Sequence, residues 1–217
     1  MIILARAHVA NGNARAAQAV LGPFWRDKKL DDNQEAMILK EFSQVISRTD
    51  HLTRMLTMLY EGKVKSAGRV AKLANASSLY QGFAAVLQKS PDAAKKLAAV
   101  DDSWKSNAAY IFAKAQYLRR AEKYKEAADV INTAPRDAAS LVDPDAWWTE
   151  RRVLSRELLD IGDAKRAYRV AAMHSAETPT AAADAEFHAG WYALRALRDP
   201  KTAQRHFARI AEISSRP

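Results

Sequence analysis

The chain has 217 residues, of which 48% are apolar and 27% charged, and its formal net charge is +9 with no cysteine. Without cysteine there are no disulfides, thiolate metal sites or cysteine nucleophiles, and the absence of any apolar run of about 18 residues excludes a spanning helix. An alanine-rich composition with only 7 Gly and 7 Pro favours helix over sheet, while the positive charge implies attraction to polyanions without choosing among nucleic acid, anionic lipid and a carboxylate-bearing cell wall.

The opening Met1-Ile2-Ile3-Leu4-Ala5-Arg6 has no basic segment before its apolar part and is too short for a signal peptide. It reads as the interior of a first helix, and Met1 is expected to mark a boundary within a longer protein. A repeat then begins at Gly12. Ala14, Ala17 and Val20 follow it at offsets of 2, 5 and 8 residues, and Gly62 (Val64, Ala67, Val70) and Gly162 (Ala164, Ala167, Val170) repeat those offsets. Lys89 does so with Pro91, Ala94 and Leu97, and Glu122 with Tyr124, Ala127 and Val130. Arg198 gives Pro200 and Ala203, after which the apolar position slides to Phe207. A turn residue that ends one helix, followed by small residues three apart, lets the next helix pack closely on its neighbour. Glu122 to Gly162 is 40 residues, Gly162 to Arg198 is 36 and Gly12 to Gly62 is 50, too irregular for a strict tetratricopeptide array of about 34 residues.

Between the turns run apolar stripes at helical spacing. One is Ile38, Phe42, Val45 and Ile46, with Asp31-Asp32 as its start. Leu52, Met55, Leu56 and Leu59 form the next, after Asp50. Trp104, Ala108, Ile111, Ala115 and Leu118 form a third, and Phe187, Gly190, Trp191 and Leu194 a fourth. A cap residue followed by proline marks helix starts at Ser90-Pro91, Asp143-Pro144, Thr178-Pro179 and Asp199-Pro200. Residues Asn132 to Leu141 read as a longer turn. The expected fold is all-α: a right-handed superhelical solenoid of antiparallel helix pairs with degenerate, tetratricopeptide-like repeats. Residues 1–217 form a single domain, expected to be a fragment of a longer protein.

The five histidines, at 8, 51, 174, 188 and 206, show no i, i+4 pair and no His-Glu-x-x-His, so each reads as a helix-surface or partly packed residue. No phosphate-cradling glycine loop, nucleophile elbow or dinucleotide fingerprint is present, and no catalytic, cofactor-binding or metal site is expected. Glu150 and Glu157 share a helix face, but Arg151, Arg152 and Arg156 around them favour ionised carboxylates over an acid catalyst. The densest basic groups are Arg119, Arg120, Lys123 and Lys125, then Arg151, Arg152 and Arg156, then Lys165, Arg166 and Arg169. Arg151 lies at i+4 from Trp147 and Arg152 at i+4 from Trp148, a spacing open to a cation–π or sugar-stacking platform. The simpler alternative makes at least one tryptophan core, with the arginines covering it.

The text Trp147-Trp148-Thr149-Glu150-Arg151-Arg152, then Asp160-Ile161-Gly162-Asp163-Ala164, then Ala185-Glu186-Phe187-His188-Ala189-Gly190-Trp191-Tyr192-Ala193-Leu194-Arg195, with Asp199-Pro200 and His206-Phe207, resembles the superhelical, non-catalytic region of soluble lytic murein transglycosylases. The resemblance covers about 65 residues, Ala146 to Ile210. It implies a periplasmic parent that cleaves peptidoglycan glycan strands to a 1,6-anhydro end. It also implies a lysozyme-like catalytic domain outside this chain, since no Glu-Ser dipeptide is present. On that reading the segment is a scaffold whose partners are glycan strands and its own catalytic domain, with Trp147, Trp148, Arg151 and Arg152 as candidate glycan contacts. A tetratricopeptide-like protein-interaction module is the alternative. Nucleic-acid binding, which rests on charge alone and lacks a recognised module, is the minor one.

Overall fold

A computed structural model describes residues 1–27 and 29–215. Among them are fourteen α-helices and no strand: α1 (Ile2–Ala10), α2 (Ala14–Asp27), α3 (Asp32–Phe42), α4 (Arg48–Tyr60), α5 (Val64–Ala71), α6 (Ser77–Leu87), α7 (Ala93–Ala98), α8 (Ala108–Arg120), α9 (Tyr124–Ile131), α10 (Ala138–Leu141), α11 (Pro144–Asp160), α12 (Ala164–Ala172), α13 (Pro179–Trp191) and α14 (Pro200–Ser214). Six helical hairpins pair α1 with α2, α4 with α5, α6 with α7, α8 with α9, α11 with α12 and α13 with α14. The first helices of successive hairpins also touch, α4 on α6, α6 on α8, α8 on α11 and α11 on α13. The result is a helical array without a single centre.

The repeat arises from one backbone event. Gly12, Gly62 and Gly162 stand at φ of +71°, +74° and +80°, and Lys89, Glu122 and Arg198 adopt the same left-handed conformation at +53°, +59° and +57°. At five of these positions the amide after the left-handed residue donates to a carbonyl five residues back: Asn13 to His8, Lys63 to Met58, Ser90 to Ala85, Lys123 to Leu118 and Asp163 to Leu158. This closing bond satisfies an orphan carbonyl at the helix end and aims the chain into the second helix. Before Arg198 a π-turn over Tyr192–Ala196 inserts one residue, so the Asp199 amide reaches Ala193 instead. The small residues five positions on, Ala17, Ala67, Ala127, Ala167 and Ala203, are all fully buried.

Glycine is the residue that tolerates this conformation without a Cβ penalty, so Lys89, Glu122 and Arg198 hold mild backbone strain. Glu122→Gly and Arg198→Gly are each expected to stabilise the chain by about 0.5–1 kcal/mol, read as a rise in melting temperature.

Three local expectations need correction. The Ser90-Pro91 step does not cap α7; Ser90 Oγ instead hydrogen-bonds Asp92, the N-cap residue. The helix therefore starts two residues later, burying Ala93 and exposing Ala94. Ser47 caps α4, and Asp50 lies in its first turn, buried, paired with Arg26 and accepting from Ser47 Oγ at 2.6 Å. Trp104 falls in a short 3-10 turn outside α8. Within the turn over residues 132–141, Asp137 caps the one-turn helix α10.

Two kinds of contact tie the helices together within and between hairpins. The first is an aromatic spine across four of the first helices. Tyr60 meets Phe83 and Phe112 with centroids 5.6 and 5.0 Å apart, and Phe112 meets Trp147 at 5.1 Å, all edge to face. The second is arginine bonded to helix-end carbonyls. Arg54 donates to Trp25 O at 2.9 Å, Arg48 to Ala74 O at 3.2 Å, and Arg136 to His174 O at 3.1 Å. Arg151 donates to both Ile131 O (2.9 Å) and Val170 O (3.2 Å). These guanidiniums sit where the helix dipole is negative and carbonyls lack partners.

Candidate functional site

The expected platform on α11 does not reach the surface. Trp147 is 1% exposed, Trp148 3% and Arg151 3%, so three of the four candidate contacts belong to the interior. Trp147 Nε1–H donates to Tyr60 Oη at 3.2 Å and Leu141 O at 3.3 Å. Trp148 Nε1–H donates to Asp184 at 2.8 Å, and its ring meets His174 and His188 edge to face. Arg151 bonds the two helix ends described above and Asn132 Oδ1 at 2.9 Å, and its burial depresses its pKa to about 10. Only Arg152 is substantially accessible, and it pairs with Asp184 at 3.2 Å. The physical reason is that α11 packs on α8, α9, α12 and α13, so little of its circumference is free.

Glu150 is equally unavailable for acid chemistry. It is buried, held by Arg119 through Nε at 2.5 Å and Nη2 at 3.0 Å, and accepts from Gln116 at 3.2 Å. The partner comes from α8, not from the arginines that flank Glu150 in sequence.

The histidines assemble a cluster that their spacing did not disclose. Glu186, on α13, accepts from His206 Nδ1 at 2.5 Å through one oxygen, and from His174 Nε2 (3.3 Å) and Arg209 (3.2 Å) through the other. His206 Nε2 lies 3.1 Å from Tyr168 Oη, and His174 Nδ1 accepts the Ala176 amide at 3.3 Å. Burial alone would raise the Glu186 pKa, but the hydrogen bonds from His174 and His206 outweigh it and hold the carboxyl at about 2. A carboxylate held ionised has no proton to donate at neutral pH. Burial pushes the Tyr168 phenol up, not down, so the Tyr–His–Glu line is not an activated nucleophile. It is a polar tie joining α12, α13 and α14.

What does reach solvent is the other face of α13. The fourth apolar stripe does not pack inward as a whole. Instead Ala185, Ala189 and Ala193 form the buried line, while Phe187 is 49%, Trp191 45% and Leu194 38% exposed. The small residues permit close approach: a Cβ added at Gly190 would lie 2.6 Å from the Phe207 ring. The Phe187 and Trp191 rings are stacked with centroids 6.2 Å apart and planes 18° from parallel, and the Arg195 guanidinium lies 5.5 Å from the Trp191 centroid. The i, i+4, i+8 spacing of these three residues was legible in the sequence; what was missing was the phase, set by the alanine line two residues ahead. The result is an open aromatic ladder ending in a cation, with Arg152 ion-paired to Asp184 of the same helix.

Among the described residues no helix is long and apolar enough to cross a membrane. No family model matches the chain, and no curated protein or solved structure matches it significantly.

Proposed function

We propose that the chain is a non-catalytic helical scaffold from a periplasmic soluble lytic transglycosylase. On this reading it is a right-handed superhelix that positions peptidoglycan glycan strands for a catalytic domain of the parent protein. The observation that carries the reading is the exposed Phe187–Trp191–Arg195 ladder. A pyranose ring offers a face of C–H groups that stacks on the electron-rich face of an indole, and a guanidinium at the end of such a stack suits the carboxylates of the wall polymer. The sequence resemblance from Trp147 to Phe207 points to the same class, and the net charge of +9 fits an anionic polymer. Glycan contact thereby moves from α11 to α13.

The test is sedimentation of the full chain with peptidoglycan sacculi, with the supernatant assayed for anhydro-muropeptides. Binding at moderate salt without anhydro product is the expected result. Trp191→Ala is expected to weaken binding roughly tenfold with little change in melting temperature, because the ring is nearly half exposed. Unchanged binding by Trp191→Ala would remove the ladder from the reading, and anhydro product from the chain alone would overturn the scaffold role.

A further inference from the structure

The arginine and lysine pattern leaves a second surface feature that the glycan reading does not use. Between the α6–α7 turn and α8 lies a cavity of about 410 Å³ lined by Val86, Lys89, Ser90, Ala93, Tyr117 and Arg120. A second lobe of about 220 Å³ adjoins it across Tyr117 and adds Ala94, Leu97, Tyr110, Lys114 and Leu118. The floor is apolar and the rim is cationic.

The cations here are not neutralised. Arg120 bonds the Val86 carbonyl at 2.5 Å, which fixes the guanidinium at the groove wall, but has no carboxylate partner among the described residues. Lys89 and Lys114 also have no carboxylate partner among them; Lys114 rests over the Tyr110 ring at 5.9 Å. The nearby Asp92 is already engaged by Ser90 and by Lys96 at 3.3 Å. The nearest helix-borne carboxylate, Glu150, is already paired with Arg119. Burial, opposed by Glu150 and reinforced by Arg119, depresses the Arg120 pKa, as expected of a cation short of counter-charge.

A guanidinium with one donor tied to the backbone keeps four others, enough for a bidentate carboxylate. Lys89 is held at the mouth by its left-handed backbone. Alanine, valine and leucine side chains on the floor leave room for small apolar side chains. We propose that this groove binds a short acidic peptide in extended form, one carboxylate on Arg120 and Lys89, a second toward Lys114, and small side chains between them. The site shares no residue with the α13 ladder, so the proposal does not depend on the glycan reading.

The test titrates the full chain with N-acetyl-Ala-Glu-Ala carrying both free carboxylates, followed by backbone amide shifts. Comparators are the same peptide with glutamine for glutamate and an amidated C-terminus, a chitin oligosaccharide, and a thymidine oligonucleotide. The expected result is a set of shifts confined to residues 86–93 and 110–120, and affinity about tenfold weaker in Arg120→Gln and Lys89→Gln. The Lys89 side chain bonds no carbonyl among the described residues, and the bond from its backbone amide to Val86 O survives substitution, so Lys89→Gln keeps the test valid if Arg120→Gln perturbs folding. Equal affinity for the neutral peptide, or no loss in Lys89→Gln, would overturn the proposal. Tighter binding of the oligosaccharide or the oligonucleotide in the same place would overturn it too, making the groove a sugar site or a general polyanion site.

Discussion

Trp147→Ala is expected to lower the unfolding free energy by about 3–5 kcal/mol. The side chain is 1% exposed, packs edge to face on Phe112, and donates its indole N–H to Tyr60 and to Leu141 O. Removal would open a cavity at the meeting point of α4, α8, α10 and α11, and leave the Tyr60 hydroxyl and a buried carbonyl each short of a donor. Urea unfolding followed by far-ultraviolet circular dichroism checks this. Trp191→Ala is the internal control, because the same chemical change on an exposed ring should cost well under half as much. Equal losses for the two would mean that the aromatic spine does not hold the array together.

Acid is expected to destabilise the chain through Glu186. Its folded-state pKa, about 2, lies below the ordinary glutamate value of 4.5. The group therefore contributes stability that is fully present above about pH 4.5 and is lost as pH falls toward 2. The full shift corresponds to at most about 3 kcal/mol. Glu186→Gln should lower stability at neutral pH and flatten the profile between pH 4.5 and 2. A profile of unchanged slope in that variant would show that the loss in acid comes from other carboxylates.

The hairpin turns were legible because their signal is local. Small residues at fixed offsets after Gly12, Gly62 and Gly162 mark the start of a closely packed second helix, and the same offsets found Glu122 and Arg198, where no glycine stands. The rule slipped by one at Lys89, where Pro91 and Asp92 occupy a turn before α7 begins. The tryptophans were not legible in the same way. Trp147 and Trp191 both sit on helices beside arginine, and nothing within either helix says which has neighbours on all sides. That depends on α11 touching helices on several sides while α13 leaves one face open. The Glu186 cluster was hidden for a related reason: its members lie 12, 20 and 23 residues apart and meet only when three helices dock. The groove beside Arg120 was half visible, as a dense basic group near Tyr117, but its apolar floor comes from α6 and α7.

The arginine–carbonyl joints have an evolutionary consequence. At each of them the donor is a side chain and the acceptor is main chain: Trp25 O, Ala74 O, Val86 O, Ile131 O, Val170 O and His174 O. A substitution at an acceptor position changes the side chain and leaves the carbonyl in place, whereas a substitution at Arg48, Arg54, Arg120, Arg136 or Arg151 removes the joint outright. Mutational tolerance should therefore be lopsided across each seam, permissive on one helix and strict at a single residue on the other. Descendants of such a chain can drift far in sequence while inheriting the same helix packing, provided a few arginines persist.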